Sequence, residues 1–135
     1  MLPRLGDWPQ RLSAHCQLWN NTPHDWNGAD CVTFAADAVL AISGVDPIED
    51  LRGRWTTRSG ALRVIKNEGF SSLSEIVASR FEECRIDEVG RGDIVMCPGE
   101  AGEFVAVVMG HYAVAPGEHG LIQVSLQFAE RGFKV

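Results

Sequence analysis

The change of hydrophobic period near Gly92 constrains this chain more than any other feature. Apolar residues recur at helical spacing before it and in strand-like runs after it. Trp8, Leu12, His15, Cys16 and Trp19 share one face of a first predicted helix, Trp8–Trp19, a stripe that reads as core. Behind Cys31, the residues Val32, Phe34, Ala35, Ala38, Val39 and Ile42 repeat the pattern, and Gly44 is a natural stop. A short helix is predicted over residues 61–69. Ser72 with Glu75 three places on makes a capping-box pattern for another, running to about Phe81. Downstream, residues 93–97, 103–109, 112–115 and 121–126 are β-rich runs, punctuated by Pro98-Gly99, Gly110-His111 and Pro116-Gly117. Gly110-His111 predicts a tight hairpin. Residues 20–29 and 52–59 read as loops, the second exposed. Helices first and an antiparallel meander after them define an α+β fold, with N-terminal helices packed on a small antiparallel sheet. No repeat or composition break divides residues 1–135, so a single domain is expected.

At 135 residues a chain buries about two thirds of its unfolded surface. With 45% hydrophobic and 22% charged residues, it needs neither disulfide nor metal to fold. The 12 basic residues are outnumbered by 18 acidic ones, giving a net charge of -6, and no window clusters Lys and Arg with aromatics. That excludes a nucleic-acid groove as the expected function. No run approaches the roughly 20 apolar residues of a membrane span, and the first residues lack a signal-peptide core. The expectation is a protein made in the cytoplasm that stays there or leaves inside a larger assembly. Cys16, Cys31, Cys84 and Cys97 show no C-x-x-C spacing, so neither a metal site nor a redox pair is written locally, and no cofactor is expected.

Cys31 is the candidate nucleophile. It follows the turn-rich run His24-Asp25-Trp26-Asn27-Gly28-Ala29-Asp30 and opens the most apolar helix. A thiolate in a first helical turn faces unpaired N–H groups and the positive end of the helix dipole. The competing reading of the same residue is a packed, inert cysteine. Asp30 reads as the helix cap, Asp93 as the start of a strand after a turn, and Asp37 as facing a backbone group or solvent. Glu82-Glu83 with Asp87-Glu88 reads as a solvated edge. His111 and His119 fall in turns, His24 in the loop before Cys31, and His15 on the core face of the first helix.

An Asp-Cys pair opening a helix, followed by Arg91-Gly92-Asp93-Ile94-Val95 and an apolar hairpin, resembles the papain-like cell-wall peptidases of the NlpC type, from Pro23 to about Val124. The resemblance implies that Cys31 sits at the nucleophile position and that His24, Trp26 and Asp30 line a substrate groove. It also implies that a base on the next strand takes the thiol proton and that a third polar residue orients the base. Phe104 falls at that base position and Ala115 at the third position, and neither can do the chemistry.

The wider pattern is similar to a family of small phage and prophage tail proteins related to the NlpC fold. It comprises the N-terminal Trp, Trp26 through Cys31, Phe34-Ala35-Ala36-Asp37-Ala38, Gly44-Val45-Asp46-Pro47, Leu51-Arg52-Gly53 and Ala115-Pro116-Gly117. Members are encoded beside tail-tip genes, in the slot where other phages and gene transfer agents carry an active tail peptidase. The resemblance implies a tail-tip structural or assembly protein with an incompetent active site, found in the virion tail after assembly in the host cytoplasm. Its implied partners are other tail-tip proteins of the hub or central-fibre type. The alternative it implies is a cysteine peptidase or amidase acting on peptidoglycan peptide during phage entry. Arg52, Arg54, Trp55 and Arg58 are the expected protein-contact residues, since Trp and Arg dominate interface centres.

Overall fold

The computed structural model describes residues 2–135. Among them four helices precede a six-stranded antiparallel sheet. Helix α1 spans Trp8–Trp19, as its apolar stripe predicts, with Pro9 in the first turn and Leu12, His15 and Trp19 buried. Pro is well placed there because it lacks only an N–H that no helical carbonyl awaits. Helix α2, Cys31–Ser43, runs through the centre of the molecule with Phe34, Ala35, Ala38, Val39 and Ile42 buried. It ends where Gly44 turns left-handed at φ 76°, a conformation costly for any residue with a Cβ.

Helix α3, Arg58–Asn67, begins three residues earlier than its apolar spacing predicts, because the Thr57 hydroxyl accepts the Gly60 N–H at 3.0 Å. Helix α4, Leu73–Arg80, is capped by Ser72 as expected, its hydroxyl accepting the Glu75 N–H at 3.2 Å. The Glu75 carboxylate reaches back one residue further than a capping box requires, to the Ser71 N–H at 2.7 Å.

The strands are β1 (Glu82–Cys84), β2 (Ile94–Cys97), β3 (Phe104–Val108), β4 (Tyr112–Gly117), β5 (Gly120–Ser125) and β6 (Arg131–Lys134), in the sheet order β1-β6-β2-β3-β4-β5. The predicted meander is β2 to β5, and Gly110-His111 is its β3–β4 hairpin, closed by the Met109 N–H donating to Tyr112 O at 2.8 Å. In the acidic run read as a solvated edge, all four residues are exposed: Glu82 and Glu83 lie on the edge strand β1, where Glu83 faces Phe133 of β6 and its carboxylate holds Arg131 at 2.7 Å, and Asp87 and Glu88 lie in the 3₁₀ turn Ile86–Glu88.

Both faces of the sheet are covered, so β2, β3 and β4 are buried along their length instead of alternating. On the helix side Ile94, Met96, Val105, Val107, Val114 and Phe133 meet Leu12, Phe34, Val39 and Ile42. On the far side Val95, Cys97, Ala106, Val108, Ala113 and Ala115 lie under Val89, Leu126 and Ala129. Each large side chain buried this fully contributes about 1.5–3 kcal/mol.

Asp93, 1% exposed, ties the two ends of the described chain together. One carboxylate oxygen accepts from Arg4 at 3.1 Å and from the Val135 N–H at 2.9 Å; the other accepts from the Gly90 N–H and from Lys134, both at 2.9 Å. The neighbouring Gly92, at φ 92°, leaves room for the Arg4 guanidinium, which a Cβ would meet at 2.9 Å. Arg4 in turn lies over the Trp8 ring at 4.3 Å. Gly92 and Asp93 thus both serve this clasp.

Candidate functional site

The site is built around the start of α2. Asp30, fully buried, accepts the Val32 and Thr33 N–H groups at 3.1 and 3.3 Å and the Thr33 hydroxyl at 2.7 Å, as its capping role predicts. That cap fixes the first turn and points Cys31 into a groove. Two clefts, of about 630 and 470 Å³, meet there, both walled by Trp26, Cys31, Ala101, Gly102 and Glu103. The larger continues between α3 and α4 over Leu62, Ile65, Phe70 and Leu73, with Arg58 and Lys66 on its rim. The smaller continues past His24, Phe104, Pro116 and Gly117, with Glu100 and Glu118 on its rim. The groove is therefore basic at one end and acidic at the other.

The His24 and Trp26 rings meet edge to face at 5.0 Å, and the main-chain N–H of His24 donates to Gly117 O at 2.8 Å. His24 and Trp26 both line the smaller cleft, whereas Asp30, expected beside them, is fully buried as the helix cap and lines neither cleft. Trp26 and the 101–103 turn stand between the clefts.

Cys31 is 7% exposed. Burial pushes its thiol up to about 12; the Val105 main chain opposes the shift, the charge of Asp30 adds to it, and the first N–H groups of the helix oppose it weakly. Desolvation outweighs the helix dipole that was expected to activate the sulfur. Opposite the sulfur on β3 stands the main chain of Val105. Phe104 is paired with Cys97, half-buried, and touches both core layers while lining the smaller cleft. Ala115 lies in the far core layer, buried with Ala106 and Ala113, away from the groove.

The remaining histidines lie elsewhere. His15 is buried, with Nε2 2.9 Å from Phe34 O and its ring 4.8 Å from that of Phe34, and burial lowers its pKa. His111 and His119 are exposed in turns. Among the described residues no group of three His, Cys, Asp or Glu side chains is placed to hold a metal ion.

The segment expected to be exposed is so at residues 52–54 and 56–59, yet its larger side chains are engaged within the molecule. Trp55 is half-buried against Ala36, Ile48, Leu51 and Val64. Arg52 bridges Asp37 and Asp46, both at 2.8 Å, which corrects the reading of Asp37 as facing solvent or backbone. Arg54 holds Glu68 at 3.1 Å, and Arg58 donates to Ala101 O at 2.8 Å. That last bond joins α3 to the turn that divides the groove.

Glu103 is the residue the sequence reading passed over. Its carboxylate accepts the Ser74 N–H at 2.8 Å and a very short bond from the Ser74 hydroxyl, so the residue just ahead of β3 closes the first turn of α4 from a distance. Its signal in the sequence was an acidic residue ahead of an apolar strand, which is compatible with many roles.

A helix-borne cysteine at the waist of a groove, on an α+β domain with four helices ahead of an antiparallel sheet, is the class these features define. The chain belongs to the family of the domain of unknown function DUF6950, which matches residues 3–135. No curated protein matches it.

Proposed function

We propose that this chain is a structural or assembly protein of a phage tail tip, carried on a papain-like fold whose cysteine no longer works. Its place is the virion tail, after assembly in the host cytoplasm. The state of the Cys31 thiol supports this most: it is buried, held protonated, and faced by the Val105 main chain. Amide cleavage needs a thiolate and a group that protonates the departing amine. Phe104, Val105 and Ala115 offer neither.

A domain of this kind acts by being bound, by tail-tip proteins of the hub or central-fibre type. Trp55, with Arg54 and Arg58 beside it, is the contact patch we assign, a partner exchanging for the intramolecular bonds these arginines now make. Purified protein is expected to leave muropeptides intact, and Cys31→Ala to assemble normally. Arg54→Ala combined with Arg58→Ala, which spares the Trp55 packing, is expected to lower incorporation into particles while the isolated domain stays folded. Normal incorporation of that variant moves the interface elsewhere.

The second reading, a cysteine hydrolase acting on peptidoglycan peptide, draws support from His24, which lines the same cleft as Cys31. Muropeptide turnover that disappears in both Cys31→Ala and His24→Ala would establish it in place of the first.

A further inference from the structure

The two edges of the sheet are built differently. Strand β1 is three residues long, carries Glu82 and Glu83, and is pinned by the Glu83–Arg131 ion pair, features that keep a foreign strand away. Strand β5 is six residues long, Gly120–Ser125, with no charge, no Pro and an unbroken register against β4. Across residues 104–129, Glu118 is the one formally charged residue, in a chain where 22% are charged. Two copies of so acidic a protein repel each other over most surfaces. This end of the sheet is where they can meet without like charges opposed.

The pattern of free groups narrows the contact. Leu121 donates its N–H to Asn20 O at 3.1 Å, away from β4, opposite Pro116, which has no N–H to give. By the alternation of an antiparallel ladder, Gln123 and Ser125 turn their main-chain groups outward as well. Asn20 covers the Leu121 end, and after Ser125 the chain leaves the sheet in the short 3₁₀ turn Leu126–Phe128. What remains open is a ladder site of three residues centred on Val124. Tyr112, Ile122 and Phe128, exposed by 37%, 46% and 58%, flank it.

We propose that this edge is a dimer interface, in which β5 of a second copy pairs antiparallel about a two-fold axis at Val124. Gln123 of each copy exchanges N–H and C=O with Ser125 of the other, four hydrogen bonds in all. The Ser125 carbonyl keeps a lone pair for this beyond the one that starts the 3₁₀ turn. Val124 faces its own copy across the axis. The contact is isologous, so it closes at two copies and does not propagate into fibres. Asn20 and the 3₁₀ turn stop the ladder at either end, which keeps it short and its register single.

Sedimentation of the full-length chain from micromolar to millimolar concentration tests this. A monomer–dimer equilibrium is expected, with Val124→Glu raising the dissociation constant at least about tenfold by opposing two carboxylates at the axis. Gln123→Pro removes an outward N–H where an edge strand tolerates proline, and is expected to do the same should the first variant misfold. Val124→Cys is expected to cross-link into a disulfide dimer on mild oxidation, because residues facing each other in such a pair lie about 4.5 Å apart at Cα, within disulfide reach. The wild-type chain, with its own four cysteines, is the control. A wild-type chain that stays monomeric throughout overturns the proposal. So does a dimer that neither substitution weakens, or one in which Val124→Cys forms no more disulfide than wild type.

Discussion

Arg4 donates to the buried carboxylate of Asp93 at 3.1 Å, 89 positions further along the chain. The same carboxylate accepts from Gly90, Lys134 and Val135, so one side chain joins the segment before α1, the turn before β2 and the last strand. Asp93→Ala strands Arg4 and two main-chain N–H groups at once. A loss of about 3–5 kcal/mol is expected, as for other broken buried ion pairs, read as a lower urea midpoint at unchanged slope. A change under about 1 kcal/mol would show that the clasp is dispensable.

Cys31 should be nearly inert in the native protein. With its thiol pushed up to about 12, alkylation by iodoacetamide at pH 8 is expected to run on the order of a hundredfold slower than in the unfolded chain, even after allowing for the greater intrinsic reactivity of a basic thiolate. Peptide mapping by mass spectrometry resolves Cys31 from the other three cysteines. Labelling at the unfolded rate would indicate an accessible, activated sulfur.

His15 gives the fold a pH dependence of defined sign. Burial lowers its pKa, with the Phe34 bond and the charge of Asp37 opposing, so the folded protein takes up a proton on this ring less readily than the unfolded chain. The contribution of His15 to stability is whole above the unfolded value of about 6.5 and is lost as pH falls below it, by at most about 1.4 kcal/mol per pH unit. His15→Gln should flatten the stability profile between about pH 6.5 and 5. An unchanged slope would mean the ring protonates in place.

Phe104 is half-buried between the core layers and the groove, so Phe104→Ala should cost about 2 kcal/mol, roughly half of what a fully buried phenylalanine costs. Thermal melting reads this directly. A shift near zero would mean the ring contributes only to the groove wall.

Much of the scaffold was legible in the sequence. The bounds of α1 and α2 and the four strands of the meander follow from apolar period, a capping aspartate and glycine turns, all local signals. Strands β1 and β6 were not legible, because Glu-Glu-Cys and Arg-Gly-Phe-Lys owe their conformation to each other across 48 positions. The ion pairs of Arg52 and Arg54 and the Arg58–Ala101 bond were hidden too, because an exposed arginine does not announce which acceptor the fold brings to it. Around Cys31 the helix cap and the groove loop could be read. The main chain of Val105 beside the sulfur could not, since it is set by the pairing of β3 with β2 and not by any local signal.

The position of β6 between β1 and β2 has a consequence for synthesis. As the ribosome works from one end, α1 to α4 and the meander can form while the chain is still growing, yet β1 has no neighbour until residues 131–134 emerge. The same final residues deliver Lys134 and the Val135 N–H to Asp93. Closure of the sheet is therefore tied to completion of this segment, and a product stalled before residue 131 keeps Asp93 short of two partners and Glu82–Cys84 without a ladder. Such a fragment is an open substrate for proteases, which makes β6 the strand on whose arrival the protection of β1 depends.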